Sequence, residues 1–158
     1  MNMPAEKKAL HDFCYGLYVL TTHDGNEING LTASWVSQVS FNPPLIMVAL
    51  EKSRHTSEMI EHSKVFAINV LRDDQEALAK HFIIPHHKMQ NKFESVPHRL
   101  GKTGSPILEE ASAFVECRVV QQIDPGDHII YVGELVDAGP MHEGRALCMM
   151  DTGLTYNG

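Results

Sequence analysis

The sequence predicts a mainly β fold, an antiparallel barrel with a few short flanking helices. Six or seven apolar or alternating stretches have the length of β-strands, whereas only three stretches have helical spacing. Most neighbouring strands are separated by short turns, which favours hairpins and a barrel over a parallel sheet with crossover helices. At 158 residues the chain has the usual size of one domain, so we expect a single domain over residues 1–158.

The first half of the chain contains a hairpin, a rigid turn and a buried strand. Residues 15–22 have a strand pattern, and the turn sequence HDGN that follows predicts antiparallel pairing with the next strand. That next stretch, residues 28–40, alternates loosely and contains Gly30, which in a strand often marks a bulge or a close ligand. After the Asn-Pro-Pro turn, residues 45–50 are apolar on both faces, which indicates a central barrel strand.

Two short helices are predicted in this half. Residues 5–13 place Leu10 and Phe13 on one face, which indicates an N-terminal helix packed on the barrel. Residues 56–63 form a second helix pattern with Thr56 near its N-cap.

The second half contains a third helix, a long loop and further strands. Asp73 and Glu76 resemble a capping box that opens a helix over residues 73–82. Residues 84–106 are irregular and rich in His, Pro, Gly and Lys, so we expect a long functional loop. The remaining predicted strands are residues 65–71, a hairpin formed by 113–122 and 128–138, and a last strand at 146–150.

Composition excludes two classes of partner. The 13 basic and 20 acidic residues give a net charge of −7, which argues against the basic surface that nucleic acids require. No apolar run approaches the roughly 20 residues of a membrane helix, and the N-terminus lacks a signal-peptide pattern. Cys14, Cys117 and Cys148 match neither a disulfide framework nor a metal motif. We therefore expect a cytoplasmic protein without nucleic-acid or membrane partners.

A basic, hydroxyl-rich segment precedes the second helix. Helix N-termini bind phosphate through unpaired N–H groups, and nearby hydroxyl and guanidinium groups add charge-assisted hydrogen bonds. The segment is therefore able to hold a phosphate monoester, although from these residues alone a solvated loop with an ordinary N-cap is slightly favoured. Its polar residues are Lys52, Ser53, Arg54, His55, Thr56 and Ser57.

Small side chains precede the single tryptophan. Thr32, Ala33 and Ser34 would let a planar ring approach the backbone, and their hydroxyls would hydrogen-bond its polar edge. Trp35 would then stack on the ring or form a wall beside it. A lone tryptophan is more often a core residue, and the ligand interpretation gains weight because the phosphate-type segment follows one strand later. The common glycine-rich phosphate loops are absent, so a nucleotide would bind by other means.

Other polar groups give weaker signals. Asp127 is expected to orient His128 at the start of a strand, and His128 itself is a candidate pocket residue. No serine lies in a nucleophile elbow, which makes hydrolysis a poor interpretation. No metal site is predicted, because the histidines of this region are better explained as part of a solvated loop than as metal ligands. They are His81, His86, His87 and His98.

These motifs together resemble a known family. Residues 32–56, TASWVSQVSFNPPLIMVALEKSRHT, resemble the flavin-binding signature of the flavin reductase family. Further similar segments follow in order, namely VFAINVL, NKF, GSPILEEASAFVECRV and GDHIIYVGEL. The resemblance spans most of the chain and implies a Greek-key, FMN-binding split β-barrel. The opening YGLYVLTT is similar to the branch that serves as the flavin domain of rubredoxin-linked or flavodiiron-linked oxidoreductases.

The resemblance also implies a role for each part of the site. The stretch from Asn29 to Trp35 would contact the isoalloxazine ring and ribityl chain, and residues 53–56 would hold the FMN phosphate. Lys92 would reach the flavin or its phosphate, and His128 is the candidate catalytic residue. Members of the family are typically homodimers with the flavin near the interface. The candidate cofactor-binding residues are Asn29, Thr32, Ala33, Ser34, Trp35, Ser53, Arg54, His55, Thr56 and Lys92.

The predicted function is a flavin reductase-like oxidoreductase that uses FMN, with FAD less favoured, and takes hydride from NADH or NADPH. The acceptor would be free flavin, a ferric chelate or a redox protein such as rubredoxin, a flavodiiron protein or a monooxygenase component. Hydride transfer needs no protein acid or base if donor and acceptor are held about 3 to 3.5 Å apart. The alternative is an FMN-binding electron carrier reduced by a partner protein, since no separate nicotinamide motif is visible. A third and weaker alternative is a barrel that serves only dimer contacts.

Overall fold

The computed structural model describes residues 3–156, which form nine strands and three α-helices. The helices are α1 (Ala5–His11), α2 (His55–Ser63) and α3 (Glu76–Ile83), and a 3-10 helix covers Met149–Asp151. The strands are β1 (Tyr18–His23), β2 (Ile28–Ala33), β3 (Val36–Phe41), β4 (Pro44–Glu51), β5 (Val65–Val70), β6 (His98–Leu100), β7 (Pro106–Leu108), β8 (Ala113–Ile123) and β9 (His128–Pro140).

Seven strands form one antiparallel sheet whose two edges are joined by only two residues. The strand order is β2-β1-β5-β8-β9-β4-β3. Because β2 and β3 lie at opposite edges, their link through Ser34 and Trp35 requires the sheet to curl into a barrel. At this seam the backbone N–H of Ala49 donates to the carbonyl of Trp35 at 3.0 Å.

Two apolar clusters lie on opposite faces of β1. Val19 and Leu20 are both fully buried, and successive side chains of a strand point to opposite faces. Leu20 packs in one cluster with Tyr131 of β9. Val19 packs in the other with Phe82 of α3 and Phe93 of the following segment. The second cluster therefore fastens α3 and the segment after it to the outside of the barrel.

The long predicted loop at residues 84–106 is only partly irregular. Its last part contains β6, which pairs with β7 in a separate two-stranded sheet. Asn69 of β5 connects this small sheet to the barrel, because its Oδ1 accepts from the Leu108 N–H at 2.8 Å. The Asn69 Nδ2 donates to the carbonyl of Val19 at 3.1 Å.

The predicted fold class is confirmed: the chain is mainly β with an antiparallel seven-stranded sheet. Both predicted hairpins form, β1 with β2 and β8 with β9. The second helix begins one residue before its predicted start, at His55. None of the helices in residues 3–156 is sufficiently long and apolar to cross a membrane.

Two strand predictions are wrong. The stretch 28–40 is two strands rather than one, since the chain passes from one sheet edge to the other within it. Residues 146–150 are not a strand. Ala146 and Cys148 make only isolated bridges, and the chain then turns into the 3-10 helix at Met149.

The three predicted helices form, but details of two of them are wrong. The capping box at Asp73 does not form, because α3 begins at Glu76 with Gln75 as its N-cap. The first helix is shorter than predicted and buries no residue. Its apolar residues Leu10 and Phe13 are 57% and 58% exposed, so the helix is not packed on the barrel as expected.

Two further expectations, that β4 is buried on both faces and that Gly30 marks a bulge, also differ from the structure. β4 pairs with β3 on one side and β9 on the other, as a central strand does, but only Val48 and Leu50 in it are buried, so it is not covered on both faces. Gly30 lies in regular register with β1, so it marks no bulge. A Cβ there would lie 2.9 Å from the carbonyl oxygen of Leu20 and 3.2 Å from the Phe82 ring. Close packing under α3 therefore accounts for this glycine.

Candidate functional site

A narrow cleft of about 120 Å³ lies at the barrel seam, where β2 passes into β3. One wall is this link, the second is the end of β4 with the start of α2, and the third is the C-terminal segment. The cleft thus brings residues 32–35, predicted to contact a planar ring, together with Arg54 of the segment predicted to bind phosphate. The lining residues that matter below are Thr32, Ala33, Ser34, Trp35, Glu51, Arg54 and Tyr156.

The small residues of the link are held firmly. The hydroxyl of Thr32 donates to the carbonyl of Ala79 in α3 at 2.6 Å, which leaves its oxygen able to accept another hydrogen bond. Ala33 and Ser34 are both buried. Their short side chains keep the backbone accessible along this wall, as a planar ligand requires.

Trp35 is a wall of the cleft and belongs to neither of the two large apolar clusters. Its ring centroid lies 4.6 Å from that of His128, with the planes tilted by 34°, and meets the ring of Tyr156 edge-on at 5.3 Å. It also lines two wider neighbouring clefts of about 580 and 520 Å³. The sequence left open whether Trp35 is a core residue or a ligand contact, and its position in the cleft wall excludes the core interpretation.

His128 lies at the start of β9 with both ring nitrogens hydrogen-bonded. Its Nδ1 is 2.6 Å from the Asp127 carboxylate and its Nε2 is 2.8 Å from the Tyr156 hydroxyl. One neutral tautomer of His128 makes both hydrogen bonds: its Nδ1–H donates to the Asp127 carboxylate, and its Nε2 accepts from the Tyr156 hydroxyl. The hydrogen bond to His128 lowers the pKa of Asp127, and burial raises the pKa of Tyr156. The predicted orienting role of Asp127 is confirmed in its geometry.

The N-terminus of α2 is the second part of the site. No side chain caps its first turn, so backbone N–H groups face outward at a positive helix end. Arg54 is the N-cap residue, and its Nε donates to Glu51 at 3.1 Å. Thr56 is buried in the first turn, and His55 is partly exposed. Ser53 is exposed and does not line the cleft.

Asn29 has a buried side-chain oxygen without a hydrogen-bond partner. Its Nδ2 donates to the hydroxyl of Thr56 at 3.4 Å, which places the amide beside the first turn of α2. An unpaired buried acceptor costs stability, and such groups often mark the position of a missing polar partner. Asn29, predicted to contact the ring and ribityl chain, therefore lies next to Thr56, predicted to hold the phosphate.

Lys92 is buried, with only 3% of its surface exposed. Its ammonium group donates to the carbonyls of Gly30 at 2.9 Å and Phe82 at 3.2 Å. Burial, together with the nearby charge of Arg54, lowers the pKa of Lys92 to about 8. Two of its three N–H donors thus serve the protein itself, and a contact with a ligand would use the third.

The histidines at and near the long loop are not a simple solvated group. His81 and His98 each bond a backbone carbonyl, at 2.7 and 2.8 Å. His86 stacks on His55 with ring centroids 3.9 Å apart, and His55 Nε2 lies 2.7 Å from a carboxylate oxygen of Glu27. Burial, followed by the charge of His55, lowers the pKa of His86.

Sequence reasoning missed the C-terminal wall of the cleft. Met149, Leu154 and Tyr156 line it, and Tyr156 also bonds His128. The segment has no strand or helix periodicity, so its only signal was an aromatic residue in an irregular stretch. Its role depends on contacts that exist only in the folded chain.

The antiparallel barrel carries small residues and a tryptophan on one wall of the cleft and an uncapped helix N-terminus on another, an arrangement that suits a planar ligand with an anionic tail. Residues 10–157 match the model of the flavin reductase like domain family, and the chain belongs to that family. The resemblance predicted from the sequence is confirmed.

Three similar proteins illustrate the family. The chain is 33% identical over 144 residues to high molecular weight rubredoxin of Moorella thermoacetica, which covers 90% of this chain and 63% of that protein. NADH:FAD oxidoreductase SgcE6 of Streptomyces globisporus, solved with NAD and FAD fragments, is 32% identical, with a TM-score of 0.79 over 85% of this chain and 80% of that one. Flavin reductase HpaC, solved with NADP+, is 26% identical, with a TM-score of 0.82 over 92% of each chain.

Two of these three proteins are oxidoreductases by name, which agrees with the enzyme class that the sequence predicts. The chain spans less than two thirds of the length of the Moorella protein. It spans 20% to 24% of the length of six further relatives, which are diflavin flavoproteins.

Proposed function

We propose that this protein binds FMN at the barrel seam and passes electrons from NADH or NADPH to an acceptor. The observation that carries the proposal is the meeting of the Thr32–Trp35 wall with Arg54 and the uncapped start of α2. FMN has a planar ring at one end and a phosphate at the other, so one ligand matches both features. The unpartnered Asn29 Oδ1 supports the fit, since a ribityl hydroxyl would donate to it.

The phosphate would be held at the mouth of α2. Backbone N–H groups and the guanidinium of Arg54 would donate to it, with Ser53, His55 and Thr56 close by. Arg54 uses Nε on Glu51, and its terminal nitrogens supply further donors. A helix mouth of this kind suits one terminal phosphate, which favours FMN over FAD in the proposal.

The ring would lie against Thr32, Ala33 and Ser34, and the bound flavin would supply the redox chemistry. Trp35 and His128 would form the boundary between the flavin and the nicotinamide. His128 is held from both sides by hydrogen bonds, so its part would be to orient a ligand and exclude water rather than to exchange a proton. The complexes of SgcE6 with NAD and FAD fragments and of HpaC with NADP+ support a nicotinamide donor.

A direct test is titration of the purified apoprotein with FMN and with FAD, followed by anaerobic addition of NADH or NADPH. We expect one FMN per chain, weaker binding of FAD, and bleaching of the flavin absorbance by at least one nicotinamide. Protein that binds neither flavin would contradict the proposal and would raise the alternative of a barrel used only for dimer contacts.

The second candidate is an FMN-binding electron carrier reduced by another protein. The similarity to a protein named as a rubredoxin favours it. Anaerobic stopped-flow reduction separates the two candidates. Fast, saturable reduction by NADH or NADPH supports the reductase, whereas slow reduction that does not saturate, combined with normal FMN binding, supports the carrier. Free flavin, a ferric chelate, rubredoxin, a flavodiiron protein and a monooxygenase component are the acceptors to compare in the same assay.

We further propose that residues 1–158 act as one flavin domain in a cytoplasmic homodimer. The free state of Cys14, Cys117 and Cys148 suits a reducing compartment. Exposed apolar side chains on three strands from one half of the sheet favour association with a second copy. They are Val39 and Phe41 of β3, Val120 and Ile123 of β8, and Leu135 of β9.

A further inference from the structure

Three metal-ligating side chains meet beside the N-terminus of α2. Glu27 comes from the β1–β2 turn, His55 from the first residue of α2, and His86 from the segment after α3. One potential ligand atom from each lies within 4.8 Å of the other two. The three residues are far apart in the sequence, so no spacing motif joins them.

The distances are close to those of a metal site. Metal–nitrogen and metal–oxygen bonds of about 2.0 to 2.1 Å at tetrahedral angles place ligand atoms about 3.3 Å apart, so no separation would need to close by more than about 1.5 Å. The Glu27 carboxylate and His55 Nε2 are 2.7 Å apart, a hydrogen-bond distance that would open to about 3.3 Å when both bind one ion. Glu27 is an exposed side chain in a turn, and small rotations of such a residue are inexpensive.

His86 provides an independent indication of a missing partner. Its Nδ1 is buried and has no hydrogen-bond partner. Its ring stacks on that of His55, with centroids 3.9 Å apart and planes 22° apart, so the two rings would have to tilt apart for each to point a nitrogen at one ion. Buried ring nitrogens are normally paired, and a single hydrogen bond to either nitrogen would fix the ring. An arrangement of two imidazoles and a carboxylate with an unsatisfied nitrogen is the donor set of transition-metal sites.

We propose that Glu27, His55 and His86 bind one divalent transition-metal ion of the zinc and cobalt class. The two imidazoles and one carboxylate supply three ligands and leave a further position for water or an anion. This site goes beyond the flavin function, because Glu27 and His86 lie outside the proposed flavin contacts and the two sites share only His55.

The bound ion would join three separate segments of the chain. It would tie the β1–β2 turn and the segment after α3 to the start of α2. A ligand that binds only the folded state stabilises it, so the midpoint of thermal unfolding should rise with metal concentration. The same ion would place positive charge next to His55, at the end of the cleft that we assign to phosphate.

The test uses the full chain with any affinity tag removed, since a histidine tag would bind the same metals. Calorimetric titration with Zn²⁺ should give one site per chain. Co²⁺ should give visible d–d absorption bands at longer wavelengths than the flavin bands. These bands should be intense enough to indicate an ion with fewer than six ligands. We expect Glu27→Gln and His86→Ala each to weaken binding at least about tenfold, as loss of a ligand should cost no less than loss of an outer-shell partner.

His87→Ala is the matched control, because His87 is the exposed neighbour of His86 and lies outside the cluster. It should bind both metals like the wild type. Absence of a one-to-one site in the wild type, or equal binding by the wild type and His86→Ala, would overturn the proposal. FMN titration of the same variants keeps the two proposals separate, since each can fail while the other holds.

Discussion

Arg54 at the mouth of α2 is the residue on which phosphate binding depends most in the proposed function. A charge-assisted hydrogen bond contributes about 1.5 to 3 kcal/mol, so Arg54→Ala should weaken FMN binding by about 10-fold to 150-fold. Thr56→Ala removes a neutral donor and should cost less. Fluorescence titration with FMN measures both variants.

Lys80→Ala is a suitable control for that comparison, because it removes one positive charge from an exposed side chain of α3 that pairs with Glu76. It should bind FMN like the wild type. If Arg54→Ala and Thr56→Ala both bind like Lys80→Ala, the assignment of phosphate to α2 is wrong.

Lys92 makes stability depend on pH in a window that follows from its burial. Its pKa falls from 10.5 to about 8 on folding, so between these values the unfolded chain binds more protons than the folded one. Stability should therefore rise with pH across the window, by at most about 1.4 kcal/mol per pH unit from this group. Below about pH 8 the cost of burying the charge is present in full.

The difference between wild type and Lys92→Met isolates this effect from other groups that titrate in alkali. Urea unfolding at several pH values should show the wild type gaining stability relative to Lys92→Met as pH rises. Lys80→Met provides the exposed comparison and should show no such change. A constant difference between the wild type and Lys92→Met at all pH values would contradict the lowered pKa.

At the level of elements, the turn between β6 and β7 is fastened to β8 by a buried carboxylate. Glu116 is fully buried and accepts hydrogen bonds from the N–H groups of Lys102 and Thr103 and from the Thr103 hydroxyl, at 3.0, 2.9 and 2.6 Å. A Cβ at Gly101 would lie only 2.3 Å from a carboxylate oxygen of Glu116. The turn therefore fits only while position 101 has no side chain.

Gly101→Ala should thus destabilise the protein by about 1 to 3 kcal/mol, as overpacking does. Chemical denaturation measures the change. Gly126→Ala is the control, because a Cβ at position 126 meets no atom within 4 Å. Equal stability of the two variants would show that the Glu116 carboxylate moves aside without cost.

At the scale of the whole molecule, the exposed apolar side chains of β3, β8 and β9 form the face through which the proposed homodimer would associate. Phe41 is 90% exposed on edge strand β3, and a charge there would be costly to bury in an interface. If the proposed homodimer forms through this face, Phe41→Asp should yield monomers in analytical ultracentrifugation. Leu100→Asp, on the separate small sheet and 59% exposed, should leave the dimer intact. A dimer that survives Phe41→Asp would place the interface elsewhere.

Local patterns predicted the elements whose partners are close in sequence. The HDGN turn and the Asp-Pro-Gly-Asp turn both produce the hairpins expected of them. Asp127 and His128 are adjacent, so their contact was also predictable. The failures at residues 28–40 and 146–150 have one cause: a strand pattern does not reveal which edge the strand joins, or whether a partner edge is free.

The candidate site divides in the same way. Thr32 to Trp35 and Ser53 to Thr56 are continuous segments with recognisable chemistry, and the sequence by itself determined them, the barrel class and the family. Only the tertiary structure decided that these segments meet, that Tyr156 bonds His128, and that Glu27, His55 and His86 converge. The physical reason is that periodicity and turn chemistry report on neighbours along the chain, whereas these contacts join residues that are far apart in sequence and become neighbours only when the whole chain folds.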